Sequence, residues 1–464
     1  FESDFNRTKT VKKVSHRLFG KQNLKLCRMT RTRISTAFRM CIDVRDLRVI
    51  RSLSSYKMQY KPIAPPDAVI GMTELDRAKF TSKISVPSTT VTDPSSFNDI
   101  ISKLKSVFLK LANFKPVQEL PGGGRRIVFD PEKINEHLVR EYEIQPTEVE
   151  LGYDNFSSDT ILKKVLSKVE GEGGGASFSL IGHILHVNLR SHLIPYRKII
   201  GQVLLDKTKN VELVVNKTSN INSAYRNFSF EILAGQGSTI AKVRENGCIY
   251  EFDFAKVYWN PRLSTEHDRI TKLRTNDSVL FDVFAGVGPF TMPAARKGCT
   301  VYANDLNPDS YHYLTKNLKH NKVEHKVEVF NMDGREFLQK ILPIKLPLHL
   351  RQDIHVTMNL PAIAVEFLDI FRNLQLRTGA VIHIHCYCFT RSEDRRSATW
   401  SLMKEHLGSG DETFQMEEVE AHFVRSVAPG KDMMRASFLL RYTDPPLEDQ
   451  GPSERKKVKI VDVV

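Results

Sequence analysis

The sequence predicts an α/β protein with a doubly wound parallel sheet in its carboxyl-terminal part, preceded by two smaller α/β modules. Three observations predict it. From residue 279 onward, apolar strand-like runs alternate regularly with helix-like stretches. Runs such as "VLFDVF" and "IHVTM" are apolar nearly throughout rather than every second residue, which marks strands covered on both faces. The first run ends in the glycine turn "FAGVG" and passes straight into the helix-like "PFTMPAARKG", the strand–turn–helix unit that opens a Rossmann-like sheet.

Residues 1–65 read as a basic leader. Within 1–62, sixteen Lys/Arg stand against four acids, which is +12 of the chain's +14. The rest is close to balanced, so the total charge says little about the folded body. The stretch "RTKTVKKVSHRLFGKQNLKLCRMTRTRISTAFRM" is basic, Ser/Thr-rich and poor in acids. A mitochondrial presequence has that composition, as do a disordered basic tail and a nuclear-import patch. The expectation is the mitochondrial matrix, with nuclear and cytoplasmic pools.

"IAPPDAVI" (63–70) is a proline-marked boundary. Residues 66–150 read as a small amino-terminal α/β module, with a helix-like stretch over 98–113, the turn "LPGGGRR" and the strand "RIVFD". Residues 151–274 read as a middle α/β module that is mostly sheet. Its flexible loop "EGEGGG" precedes the strands "ILHVNL", "VELVVNK", "SFEILAG" and "CIYEFDFAKVYW", and the module ends in the helical "NPRLSTEHDRITKL". Residues 275–444 hold the parallel sheet, through "TVYAND", "SYHYLTKNLKHN", "VEVFNMDGREFLQKI", "IHVTMNLPAIAVEFLDIF" and "AVIHIHCYCF". Residues 445–464 read as a disordered tail. No run of 18 or more apolar residues occurs, so no membrane-spanning helix and no membrane partner are expected.

The six cysteines lack paired CxxC spacing, so no metal is expected and a reducing compartment fits. "HIHCYC" (383–388) looks metal-like. Strand alternation instead puts His383, His385 and Tyr387 on one face and Cys386 and Cys388 on the other.

Ligands of such sheets lie outside the carboxyl ends of the strands. Asp282, Gly286 and Gly288 fall at the first such end, where glycines admit close backbone approach. Asp305 ends the next strand, placed to accept both hydroxyls of a ribose. Asp333 and Gly334 follow the third strand, where an adenine edge is read, and Asn359 follows the fourth in "MNLPA". A dinucleotide loop would carry a third glycine, but that position is Thr291 and Pro289 intervenes. The set suits S-adenosylmethionine, which has no pyrophosphate and needs no phosphate cradle. Residue by residue the bland readings stand: a ligand-free tight turn, a helix cap at Asp305, a turn residue at Asp333.

"VYWNPRLSTEHDRI", "FDVFAGVGPF", "ANDLNP" and "MNLPA" resemble the tRNA (guanine-37, N1)-methyltransferases of eukaryotes and archaea. The likeness runs from about 176 to 442, with "NPRLSTEH" its most specific piece, and extends more weakly to "GMTELDR" (71–77). The resemblance implies two small domains before a class I methyltransferase domain, S-adenosylmethionine as cofactor, and the guanosine 3′ to the anticodon as substrate. It implies Glu266 as the base, with Arg226 and Asn359 as further catalytic positions. It carries cofactor contacts to His267, Asp305, Leu306, Asp333, Gly334 and Asn359. From Glu405 onward only "FVRSVAP" matches well, and no site is transferred from there.

The chemistry gives these residues work of its own. Guanine N1 carries a proton at neutral pH, so methyl transfer needs a base at N1 and a donor where charge builds on O6. Glu266 suits the first task and Arg226 the second. Against this, Glu266 with Ser264 also reads as a capping box, and Arg226 as a surface ion-pair partner. Tyr258 and Trp259 read either as a base-stacking platform or as core. "RSHLIPYRK", "VRENG" and "VRSVAPGK" offer basic groups for phosphates. A base beside the anticodon needs flipping into the pocket. The competing readings are an aminocarboxypropyl transferase using the same cofactor, a non-catalytic RNA-binding relict, and an NAD-linked oxidoreductase. A monomer is expected.

Overall fold

The computed structural model describes residue 60 and residues 62–442, apart from 136–137, 139–140, 170–177, 219–228, 375–378 and 409–413. The basic leader apart from residues 60 and 62–65, the "EGEGGG" loop, Arg226 and the carboxyl-terminal tail therefore lie outside the described residues.

The described residues form two compact units, 60 and 62–64 together with 81–156, and 65–80 together with 157–442. In the first, β1 (Ser82–Val91) pairs antiparallel with both β3 (Arg125–Val128) and β4 (Gln145–Leu151), and β2 (Val117–Glu119) flanks β3. The helix is shorter than the sequence suggests. It is α1, Phe97–Leu104, and the chain beyond it turns to bridge Phe108 to Phe129. Residues 65–80 join the second unit through Lys164 with Asp67, Lys198 with Glu74 and Arg77 with Asp206.

The second unit begins with α2 (Ser158–Val165), whose Ser157 cap accepts the Thr160 N–H. A four-stranded mixed sheet follows, ordered β5–β6–β7–β8. Its strands are β5 (Phe178–Ile181), β6 (Ile184–Val187), β7 (Leu213–Lys217) and β8 (Phe230–Gly235), with α3 (Arg197–Lys207) between β6 and β7. β9 (Ile240–Glu245), a strand the sequence pattern does not announce, pairs with β10 (Cys248–Asp253) as a separate antiparallel ribbon. Trp259 is buried at 7% exposure, between the rings of Tyr250 and Phe252, while Tyr258 is 42% exposed. Of the two aromatics, then, Trp259 is core.

After α4 (Ser264–Lys272) the parallel sheet begins: β11 (Val279–Asp282), α5 (Thr291–Lys297), β12 (Thr300–Asn304), α6 (Pro308–Asn321), β13 (Val327–Phe330), β14 (Ile354–Met358) and β15 (Val381–Thr390). α7 (Arg395–Leu407), β16 (Phe414–Ala428) and β17 (Lys431–Tyr442) complete it. The strand order is β13–β12–β11–β14–β15–β17–β16. The first five are parallel, but β17 runs antiparallel between β15 and β16, so the sheet is parallel only up to β15. β11 and β14 are buried at every residue, as strands covered on both faces must be.

Side-chain amides tie the ribbon to the parallel sheet's helices. On α6, Asn317 and Asn321, one turn apart, each bond both backbone groups of a β10 residue, Glu251 and Ile249 respectively. A strand edge that would otherwise be open is thereby closed.

Candidate active site

The strand order reverses between β11 and β14, and the carboxyl ends flanking that point form the ligand crevice of a doubly wound sheet. Asn304 knits these ends together. It is fully buried, donates to the carbonyls of Val283 and Met332, and accepts from the Met332 N–H. One amide thus fixes the exits of three strands. The next residue, Asp305, accepts from the backbone N–H of Gly286 at 2.8 Å and of Asn307 at 2.9 Å. Burial pushes its carboxyl above the usual range, with those two N–H groups acting the other way. Leu306 beside it is 38% exposed, an apolar surface at the mouth. Asn331 donates to the carbonyls of both Asp305 and Leu306.

The glycine loop divides its work. Gly286 has φ +57°, and a Cβ there would meet nothing within 4 Å, so the backbone borders open space beside Asp305. Gly288 has φ +98°, and a Cβ there would lie 2.7 Å from Leu314 Cδ1. It serves the approach of α6 rather than that of a ligand. Gly334 likewise admits the Phe284 ring, which a Cβ would meet at 2.6 Å.

Asp282 does not face the crevice. It is fully buried, and its Oδ2 accepts from the Thr291 hydroxyl at 2.7 Å. Burial pushes its carboxyl up to about 7, with Arg274 pulling the other way. The threonine at the third-glycine position therefore braces β11 to α5. Asp333 is an exposed helix cap, accepting from the Arg335 N–H at 2.8 Å. Asn359 is half-buried just past β14. His267 is buried, with Nδ1 2.6 Å from Glu245 Oε1 and its ring edge-on to Phe290. Its Nδ1 is thus committed to a residue of β9 that sequence reasoning missed.

Glu266 is the most enclosed of the candidate acids outside the sheet. Asn260 caps the turn Pro261–Leu263 that leads into α4, and the start of α4 itself has no side-chain cap, so the capping-box reading of Glu266 fails. The Glu266 carboxylate is buried at 5% exposure. Its Oε1 accepts from the Tyr387 hydroxyl at 2.9 Å and Arg435 Nη1 at 2.8 Å. Tyr387 sits near the carboxyl end of β15, and its ring lies 6.1 Å from Phe290 of the glycine loop. Leu263, Ile270, Phe290, Tyr387 and Met433 form one apolar cluster there. The acid thus stands at the same end of the sheet as the loop.

Alternation in "HIHCYC" is as the sequence indicated. His385 bonds Ser437, and Tyr387 bonds Glu266, on one face, while Cys386 and Cys388 join the main core on the other. Neither Arg435 nor Glu420, which pairs with Arg435 Nη2, was legible. Arg435 lies 169 residues from Glu266, in a stretch without a local motif.

The sheet order, the glycine loop and the crevice residues define a class I methyltransferase fold, and they fit a nucleoside cofactor. An open face at Gly286 adjoins a carboxylate poised at a strand end, with an apolar side chain next to it. The family description "TRM5/TYW2 methyltransferase domain" matches residues 239–399, and "TYW2 N-terminal domain" matches 159–239. A tRNA (guanine(37)-N(1))-methyltransferase of Danio rerio is 44% identical over 406 residues, covering 81% of this chain and 83% of its own length. One of Homo sapiens is 40% identical over 449 residues, covering 86% and 85%. Trm5b from Pyrococcus abyssi shares the fold with a TM-score of 0.57 at 26% identity, covering 77% of this chain and all of that one. The chain belongs to the tRNA (guanine(37)-N(1))-methyltransferase family.

Proposed function

We propose that this enzyme transfers the methyl group of S-adenosylmethionine to N1 of guanosine 37 in the tRNA anticodon loop, acting as a monomer. The observation that carries the reading is Glu266: a buried carboxylate held by Tyr387 and Arg435 beside the glycine loop's Phe290.

Gly286, Asp305, Leu306, Asp333, Gly334 and Asn359 line or support the cofactor crevice, and His267 and Asp282 hold its frame. The cofactor supplies a sulfonium methyl already activated toward a nucleophile. Glu266 takes the N1 proton, and its burial keeps water from competing for it. Arg226 supplies the positive charge at O6, and Asn359 orients the purine. A general base so placed contributes about 10²–10⁴-fold, and alignment of the reacting atoms supplies much of the rest. Among the described residues, no group of three or more His, Cys, Asp or Glu is placed to hold a metal ion. The basic leader suits import into the mitochondrial matrix, with nuclear and cytoplasmic pools; a fusion of residues 1–60 to a reporter tests it, and wholly cytosolic fluorescence would refute it.

The deciding experiment is incubation with labelled cofactor and unmodified tRNA, followed by mapping of the product nucleoside. The expected product is 1-methylguanosine at position 37. The match of 159–239 to "TYW2 N-terminal domain" keeps aminocarboxypropyl transfer as the second reading, and a product heavier than a methyl adduct would establish it instead.

A further inference from the structure

We infer that Tyr387, Arg435 and Glu420 are positioning residues for Glu266: the first two fix its Oε1 so that Oε2 takes the proton, and Glu420 offsets the charge of Arg435. The inference rests on reading Glu266 as the base.

The arrangement follows from register. Tyr387 on β15 pairs with Arg435 on β17, and Arg435 pairs with His422 on β16. Directly paired residues share a face, so the three side chains form one row across the sheet, and Glu266 reaches it from α4. Oε1 accepts two hydrogen bonds, at 2.9 and 2.8 Å. Among the described residues, the charged groups near Oε2 are Arg269 Nε at 3.7 Å and His422 Nε2 at 3.8 Å, both too far for a hydrogen bond. One oxygen is therefore anchored, and the other keeps its lone pairs for a proton.

Anchoring by a guanidinium alone would hinder the reaction, because a buried positive charge in contact with a carboxylate lowers its proton affinity. Arg435 is fully buried and divides its Nη atoms between two carboxylates, Nη1 to Glu266 and Nη2 to Glu420. Glu420 is also 3.7 Å from His422. The second carboxylate shares the guanidinium, so Arg435 is not held by Glu266 alone. Burial, reinforced by the Glu266 charge, holds the Tyr387 phenol well above its ordinary range, so it remains a donor throughout the working pH. Burial lowers the His422 imidazole, with Glu266 acting the other way.

The test is the pH dependence of single-turnover methylation on unmodified tRNA at saturating S-adenosylmethionine, for Tyr387→Phe, Glu420→Gln and Glu266→Gln. Melting temperature and cofactor affinity establish that each variant is folded. Tyr387→Phe removes a donor from the carboxylate, and the acidic limb is expected to move up by about one pH unit. Glu420→Gln leaves the Arg435 charge on Glu266 alone. Its acidic limb is expected to move down by about as much, and its plateau rate to fall several-fold, with KM for both substrates little changed. Opposite displacements support the inference. Unmoved limbs in folded variants, with Glu266→Gln inactive, overturn it and leave the base standing. A wild-type rate for Glu266→Gln overturns the base reading itself.

Discussion

Gly286 donates its backbone N–H to the Asp305 carboxylate at 2.8 Å, across nineteen residues of sequence. The bond ties the glycine loop after β11 to the exit of β12, so the carboxylate shapes the loop as well as facing the crevice. Asp305→Ala removes that acceptor and strands the N–H groups of Gly286 and Asn307. An unpaired buried donor costs about 1–3 kcal/mol, which applies to the buried Asn307 N–H, whereas Gly286 borders open space. S-adenosylmethionine affinity is expected to fall about 10–100-fold in a calorimetric titration, while the rate at saturating cofactor changes far less. Unchanged affinity would remove Asp305 from the cofactor site.

Asn304 should matter more for folding than for affinity. Its buried amide makes three hydrogen bonds to the exits of β11 and β13, all lost in Asn304→Ala. The expected loss is about 3 kcal/mol in urea-unfolding stability. A loss within 0.5 kcal/mol, roughly that of an ordinary surface substitution, would show that the strand ends hold without it.

A buried histidine pair gives the unit a pH dependence. His355 Nδ1 lies 3.0 Å from His385 Nε2, and His385 Nδ1 lies 2.9 Å from the Ser437 hydroxyl. Burial lowers His355 to about 2 and His385 well below its ordinary value, with Arg274 adding to both. The unfolded chain therefore binds protons below about pH 6.5 that the folded one refuses. Stability is fully present above that pH and falls on acidification, by about 1.4 kcal/mol per pH unit for each histidine. His355→Gln is expected to make the loss between pH 6.5 and 5 shallower by about one proton's worth. Curves parallel to wild type would mean that another group carries the slope.

Much of this was legible in the sequence, for reasons that differ by element. "VLFD" and "IHVTM" are apolar because both faces are covered, and their ends therefore marked the crevice. Alternation in "HIHCYC" placed Tyr387 and His385 on one face before any partner was known. β16 was hidden, because "FQMEEVEAHFVRSVA" is an edge strand with register shifts between Glu418 and Glu420 and between Phe423 and Arg425, which break its period. Asp282 misled because a strand-end acid reads alike whether it faces ligand or Thr291. Glu245 and Arg435 act across tertiary distances, where sequence spacing carries no signal.

The most direct test of the central claim is the single-turnover rate of Glu266→Gln with unmodified tRNA and saturating S-adenosylmethionine. Glutamine keeps an oxygen for Tyr387 and Arg435 but cannot take the N1 proton. The rate is expected to fall about 10²–10⁴-fold, with cofactor affinity within a few-fold of wild type. A rate near wild type would contradict the assignment of Glu266 as the base.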